Sequence, residues 1–462
     1  MRWILTLPAF LLFFTILPAQ DQDDSLQVRS IFDVVLEQGE AYENLRVLCK
    51  DIGHRLSGSP QAEMAVQWGY ELMKTYEPDR VYLQEITVPH WERGTNEIAW
   101  FKDHNGQVQK LSILALGGSI PTDGLIRGEV VEVRSFEEME EKKEEIKDKI
   151  VFFNRAYDPK FINTFQAYGA CVSQRWNGAN VGGKHGAKAV LIRSLTHIDD
   201  DHPHTGSMGY EEGERKIPGA ALSSQASNTL EKALEAGSVE VFLQMDCRSL
   251  GEKTSHNVIA EIKGSENPEN IMVVGGHLDS WDVGEGAHDD GAGIVQSIEL
   301  LHVFKTLGIK PKNTLRVVLF MNEENGNNGG KTYASLTKDD RHILAIESDR
   351  GGFTPRGFSI DGTEEQIEFV RGFEELLDPY YLHHFEKGYG GVDINPIKEY
   401  GDDVVLMGLF PDSQRYFDYH HSASDVFEAV NKRELELGAG AMAAMIYLMD
   451  KYYEPSVVKI RK

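Results

Sequence analysis

Cysteine is the scarcest of the informative residues: Cys49, Cys171 and Cys247 are the only three in 462 residues. So few, so widely spaced, exclude a disulfide framework and a cysteine zinc site, and allow one bridge at most. Positive charge is also in short supply. Lys+Arg number 47 against 73 Asp+Glu, a formal charge of −26, and no Lys/Arg run stands out. Such an acidic chain is repelled by phosphate backbones and anionic lipid, which argues against nucleic acid and membrane surfaces as partners. After Leu17 no segment is long and apolar enough to span a bilayer. Internal repeats, low-complexity tracts, a GxSxG nucleophile elbow and a GxGxxG dinucleotide turn are all missing. What remains, 41% hydrophobic and 26% charged, is an ordinary globular composition with length for two or three domains.

The beginning of the chain does carry a pattern. Met1-Arg2 is a short positive stretch, residues 4–17 are almost continuously apolar, and Pro18-Ala19 precedes the acidic run Gln20-Asp21-Gln22-Asp23-Asp24. This reads as a signal peptide over 1–19 cleaved near Ala19, so the expected location is secreted or periplasmic, with no membrane attachment after cleavage. No cysteine follows to accept a lipid.

Helical spacing is expected between Ser30 and Lys74, with the turn Ser57-Gly58-Ser59-Pro60 between two amphipathic stretches. A β-rich region follows from Trp100 to Cys247, with strands expected at 125–133, 149–155, 187–193 and 239–245 and a charged helix over 137–149. After Ser255 strands and helices alternate: apolar runs at 271–274, 315–320 and 343–346, helical spacing from Ile294 to Phe304, and a closing helix from Lys432 to Tyr452. Strand–helix–strand alternation implies an α/β fold with a mostly parallel sheet flanked by helices. The expected division is 20–105 and 250–462 for that domain, with a smaller β-rich domain inserted over 106–249.

Chemistry-bearing residues cluster just after the expected strands. His277-Leu278-Asp279 follows the first, Glu323-Glu324 the second and Asp349 the third; the glycine-rich turn GEGAHDDGAG (284–293) carries Asp289-Asp290, and Tyr419-His420-His421 comes later. Carboxyl ends of parallel strands line the crevice where ligands bind, so segments far apart in sequence meet at one edge. Imidazoles and carboxylates are zinc ligands. Five of them exceed what one tetrahedral ion with an open position needs, whereas two ions sharing a bridging carboxylate use all five. Asp279 is suited to hold the His277 imidazole by its second nitrogen. Of the adjacent glutamates, one is free to move a proton. Asp289 against Asp290, and His421 against His420, stay open at this level. A separate metal site at His197 and Asp199–His204, or a loop over the cleft, is an alternative use of that His/Asp-rich segment.

The motifs GGHLDSWDVGEGAHDDGAG (275–293), LFMNEENG (319–326), ESDRGGF (347–353), PDSQRYFDYHH (411–421) and RLSGSP (55–60) resemble the M28 family of zinc exopeptidases, in its plasma glutamate carboxypeptidase branch. The β-rich insert is similar to a protease-associated domain. The resemblance implies two Zn2+ held by His277, Asp289, Glu324, Asp349 and His421, with Asp289 bridging. His277 and Asp349 would share one ion, Glu324 and His421 the other. It further implies Glu323 as general base and a cis peptide after Asp289. Apart from the resemblance, Asp393 in GGVDINPI (390–397) stands at a further expected strand–loop edge, where a contact to a substrate terminus and a structural role are equal alternatives. Asp425-Val426 stands where the family commonly has an Asp-Thr pair, a departure that falls on no implied ligand. The function so implied is hydrolysis of dipeptides or short peptides by a metal-bridging hydroxide, in an enzyme that is an aminopeptidase, dipeptidase or carboxypeptidase and forms a homodimer. An inactive receptor-like binding protein and a glutaminyl-cyclase-like transferase are the alternatives on the same fold.

Overall fold

The computed structural model describes residues 22–401 and 403–455; the signal peptide expected over 1–19 lies outside them. Two eight-stranded sheets organise the chain. In the first, four parallel neighbours form the centre, in the order Asn313–Phe320, Asn267–His277, Arg341–Glu347 and Val405–Pro411. Their faces are covered on both sides, which is why they read as continuous apolar runs; Asn313–Phe320 is buried along its whole length. Antiparallel partners flank this centre, Arg248–Ile262 and Arg80–Glu92 on one side and Pro355–Asp361 on the other, where His384–Lys387 adds a parallel edge strand.

Helices Gln22–Gln38, Pro60–Thr75, Ala292–Leu307 and Lys432–Tyr452 share one apolar cluster with one face of this sheet. The second of these starts where RLSGSP predicts. Gly58 has φ of 84°, the Ser59 side chain accepts the Ala62 amide, and Pro60 occupies the first turn, where its missing N–H costs nothing. The last is capped by Asn431, and near its end the fully buried Asp24 carboxylate accepts from Tyr447, Tyr452 and Lys451. Among the described residues no helix is long and apolar enough to cross a membrane.

The second sheet runs Val108–Leu111, Glu97–Lys102, Glu240–Met245, Ile126–Val133, Ile150–Phe153, Ala189–Arg193, Gly219–Leu222 and Ile113–Ala115. The chain reaches it along the Arg80–Glu92 strand and returns along Arg248–Ile262, paired through Trp91 opposite Ser249. Its first strand opens at Glu97, ahead of the boundary expected at 106. The stretch just before residue 106 is a hairpin loop within the sheet, where the Asp103 carboxylate accepts the Asn105 and Gln107 amides. Two further expectations change. The region read as β-rich contains the 21-residue helix Thr164–Lys184, obscured by four glycines and two asparagines that lower helix propensity. The single charged helix over 137–149 is two short ones, Phe136–Glu141 and Lys143–Ile146, interrupted at Lys142.

Candidate metal centre

All four central parallel strands point their carboxyl ends to one edge. His277 closes its strand opposite Phe320, three residues before Glu323, and Glu347 lies opposite Gly275 and Gly408, two residues before Asp349. The turn of Asp289 and the loop of His421 close over this edge. Asp289 occupies the middle. Its Oδ1 is 3.1 Å from His277 Nε2, which also lies 3.4 Å from Asp349 Oδ1. Its Oδ2 is 3.2 Å from His421 Nε2, itself 3.1 Å from Glu324 Oε2. A tetrahedral zinc ion with arms of about 2.0–2.1 Å has ligand–ligand edges of about 3.3 Å, close to these four contacts; ligand atoms also converge in two sets, His277, Asp289 and Asp349 in one, Asp289, His420 and His421 in the other. Asp289 Oδ2 and Glu324 Oε1 are buried without a hydrogen-bond donor, as expected of atoms whose partner is a cation. The residues therefore fit the group.

The two choices left open by the sequence separate in geometry. Asp290 turns away from the cleft: its carboxylate accepts the amides of His277 and Gly293 and is fully buried. The Asp289–Asp290 peptide bond is cis. His421 Nε2 approaches both Glu324 and Asp289, whereas His420 Nε2 stands 3.8 Å from Asp289 Oδ2, its ring stacked on His421 at 3.5 Å.

Electrostatics follow from so many ionisable groups in one buried place. Burial disfavours charge on His277, yet Asp289 and Asp349 hold its imidazole well above the usual histidine range. Burial likewise opposes the charged His421, but Glu324 and Asp289 raise it to about 9. Against its own burial, Asp289 is held well below the usual carboxylate range by His277 and His421. Burial pushes Glu324 up to about 7 and, joined by the Asp349 and Glu324 charges, lifts Glu323 well above its ordinary value. Burial and Asp349 raise Glu347 to about 8.

The framing residues are mostly ones the sequence did not announce. Arg55 of RLSGSP is fully buried and donates to the carbonyls of Leu278, Glu285 and Gly286, fixing the loop that leads to Asp289. Asp425 reaches across 136 residues to accept the His288 and Asp289 amides. Asp279 does more than its expected role, its Oδ1 standing 3.8 Å from His277 Nδ1. The His277 Nδ1–H is held by the Asp279 backbone carbonyl at 3.0 Å, whereas its carboxylate accepts the amides of Asn322, Glu323 and Glu324 and so fixes the glutamate turn. Asn322 and His421 both lie in the left-handed region, with φ of 80° and 61°. For a histidine this costs about 1–3 kcal/mol and persists only where surroundings enforce it.

A cleft of about 400 Å³ opens over the cluster, with Glu323, Asp349 and Arg350 on the first-sheet side and Phe165, Arg175 and Trp176 of the 164–184 helix on the other. Asp393 does not line it. This residue is fully buried behind Glu347, whose carboxylate accepts the Val392, Asp393 and Ile394 amides, so it has no direct access to a peptide in the cleft. The His/Asp-rich segment is a connector, not a second ligand cluster. Asp200 caps His202, Asp201 accepts from Ser112 and Ser223, and the buried His204 is bonded through Nδ1 to the His420 carbonyl at 2.7 Å.

A family model described as Peptidase family M28 matches residues 257–446. Carboxypeptidase Q of Xenopus laevis is 36% identical over 91% of this chain and 88% of its own, and carboxypeptidase Q of Homo sapiens is 36% identical over 89% and 85%. Among solved structures, a Peptidase M28 precursor from Shewanella amazonensis SB2B is 31% identical and superposes with a TM-score of 0.87, covering 93% of this chain and 97% of that one. A zinc aminopeptidase from Bacillus subtilis, 20% identical with a TM-score of 0.64 over 90% and 96% of the two chains, shares the fold. With its site geometry and near full-length kinship, the chain belongs to peptidase family M28.

Proposed function

We propose that this chain is an exported two-zinc exopeptidase that hydrolyses dipeptides and short peptides. His277 and Asp349 would hold one ion, Glu324 and His421 the other, and Asp289 would serve both. The observation that carries the reading is the placement of Asp289, whose two oxygens face opposite imidazoles at 3.1 and 3.2 Å. When bound, the zinc pair supplies an activated water and a sink for charge on the scissile carbonyl. Glu323 lines the cleft, and its carboxylate accepts no hydrogen bond from the described residues, so it is free to take the water's proton and return it to the leaving amine. Its raised affinity for a proton suits a base, since a nearby divalent charge draws such a pKa back toward neutrality. The cleft falls within the volume of small-ligand sites and lies between the two sheet units, which supports short substrates over folded proteins. Export is supported by the pattern of the first nineteen residues.

The test uses a free dipeptide, its N-acetylated form and its C-amidated form with zinc-loaded protein, with and without chelator. Chelator-sensitive cleavage of the free form, with both blocked forms resistant, is the expected result. Cleavage of the amidated form makes the enzyme an aminopeptidase, and of the acetylated form a carboxypeptidase. No cleavage across a broad dipeptide set overturns the reading.

A further inference from the structure

The two halves of the metal centre are framed by different parts of the molecule. Around His277 and Asp349 the hydrogen bonds stay within the first-sheet unit: His277 donates its amide to Asp290 and its Nδ1–H to the Asp279 carbonyl, and Ser348, beside Asp349, donates to Gly275 and Gln296. Around His421 and Glu324 they cross to the second sheet. The Thr205 carbonyl accepts from His421 Nδ1 at 3.2 Å, and the Thr205 amide donates to the His421 carbonyl at 3.0 Å. This two-way clamp grips the residue whose backbone is left-handed. His204 holds the neighbouring His420 carbonyl, and the Ser207 hydroxyl donates to the Glu324 carbonyl at 2.5 Å.

Residues 204–207 are in turn anchored to the second sheet. Thr205 Oγ1 donates to the Ala115 carbonyl at 2.8 Å and lies 3.5 Å from Arg93 Nη2. The Gly117 amide donates to the Gly206 carbonyl, and the His204 amide donates to Ser194 Oγ. Arg93 ties the same place back to the first unit through Asp282. The segment is therefore braced on both sides and ends on the His421 imidazole and the Glu324 main-chain carbonyl, in the two residues of a single ion position.

We propose that the second-sheet unit, through Thr205 and Ser207, sets the affinity of the His421–Glu324 position, and that the His277–Asp349 position is independent of it. Thr205 and Ser207 are positioning residues: neither supplies a ligand atom, and each acts through the orientation of one that does. Groups that orient metal ligands in this way change metal affinity by about 10–100-fold. The consequence is an unequal pair, one ion held by the first unit alone and one whose retention reports how the two units are docked. This rests on the two-ion reading above.

The test is a zinc titration of metal-free wild type and of Thr205→Val, Thr205→Ser and Ser207→Ala, by calorimetry with a competing chelator, alongside the melting temperature of each ion-free protein. Thr205→Val removes the hydroxyl that anchors the clamp at nearly constant volume; Thr205→Ser restores it. The expected result is two sites in wild type, one of them weakened about 10–100-fold in Thr205→Val and Ser207→Ala and recovered in Thr205→Ser, the other unchanged. Equal weakening of both sites, or no change in either, overturns the proposal. A single site in wild type instead removes the two-ion reading on which it stands. Ser207 is half-buried, so its variant keeps the test available where a Thr205 variant does not fold.

Discussion

The molecule holds two sheets of eight strands each, both with parallel strands at the centre and helices against them, yet only one of them carries a cluster of metal-binding character among the described residues. In the first sheet the parallel strands end in His277, Glu323-Glu324 and Asp349. In the second, Ile126–Val133, Ile150–Phe153, Ala189–Arg193 and Gly219–Leu222 are likewise parallel in all three pairings, but end in neutral or apolar residues and in Arg193, which is spent on Asn154, Asn228 and Glu231. Architecture supplies an edge where side chains meet; chemistry depends on which residues the strand ends deliver. The second unit contributes instead by covering and bracing the first.

That contrast breaks most visibly at Asp289. Asp289→Ala is expected to abolish hydrolysis and to reduce bound zinc at both positions, read by elemental analysis after dialysis; two retained ions per chain would contradict its shared role. Glu323→Gln is expected to lower kcat by about 10²–10⁴-fold while zinc content stays that of wild type, because the change removes a proton acceptor and no ligand. Asp279→Asn disturbs the turn that carries both glutamates and is expected to weaken zinc binding about 10–100-fold, measured by chelator competition. In the second sheet, Arg193→Met serves as the counterpart. It breaks a buried hydrogen-bonded cluster and is expected to cost about 1–3 kcal/mol in denaturant unfolding, with zinc affinity and kcat unchanged.

The smallest expected effect separates stability from catalysis inside the first unit. Glu436 is buried, one of its oxygens has no partner, and burial together with Glu299 raises its carboxyl to about 7; the Tyr42 amide and the more distant Lys432 and His302 only partly offset this. A carboxyl with a raised folded-state pKa penalises the fold once pH climbs above its unfolded value of about 4.3 toward 7. Glu436→Gln should therefore stabilise by about 1–2 kcal/mol at pH 8, with little change at pH 4, and leave zinc binding alone. Equal effects at both pH values would show that packing, not charge, governs this position.

Of the proposed ligands, His277, Glu324 and Asp349 were legible because each comes shortly after or at the end of an apolar run at a sheet edge, whereas Asp289 on its glycine-rich turn and His421 on its loop were separated from their neighbours Asp290 and His420 only by the resemblance. The frame was not. Arg55 and Thr205 act on or through backbone carbonyls, which leave no mark in the residue pattern, and Asp425 acts on amides 136 and 137 residues earlier. Asp393 sat in a suitable loop, but burial depends on what packs in front of it, here Glu347 and Val392. The 164–184 helix was hidden because Gly169, Gly178, Gly182 and Gly183 dilute its periodicity, although Gly178 and Gly182 are the positions that let it lie against Phe153, Ile192 and Val190.

Anomalous diffraction at the zinc edge from crystals of the zinc-loaded protein tests the central claim most directly. The account predicts two peaks flanking Asp289, one among His277, Asp289 and Asp349 and one among Asp289, Glu324 and His421. A single peak, or a second peak bound through His420 with Glu324 uninvolved, would contradict it.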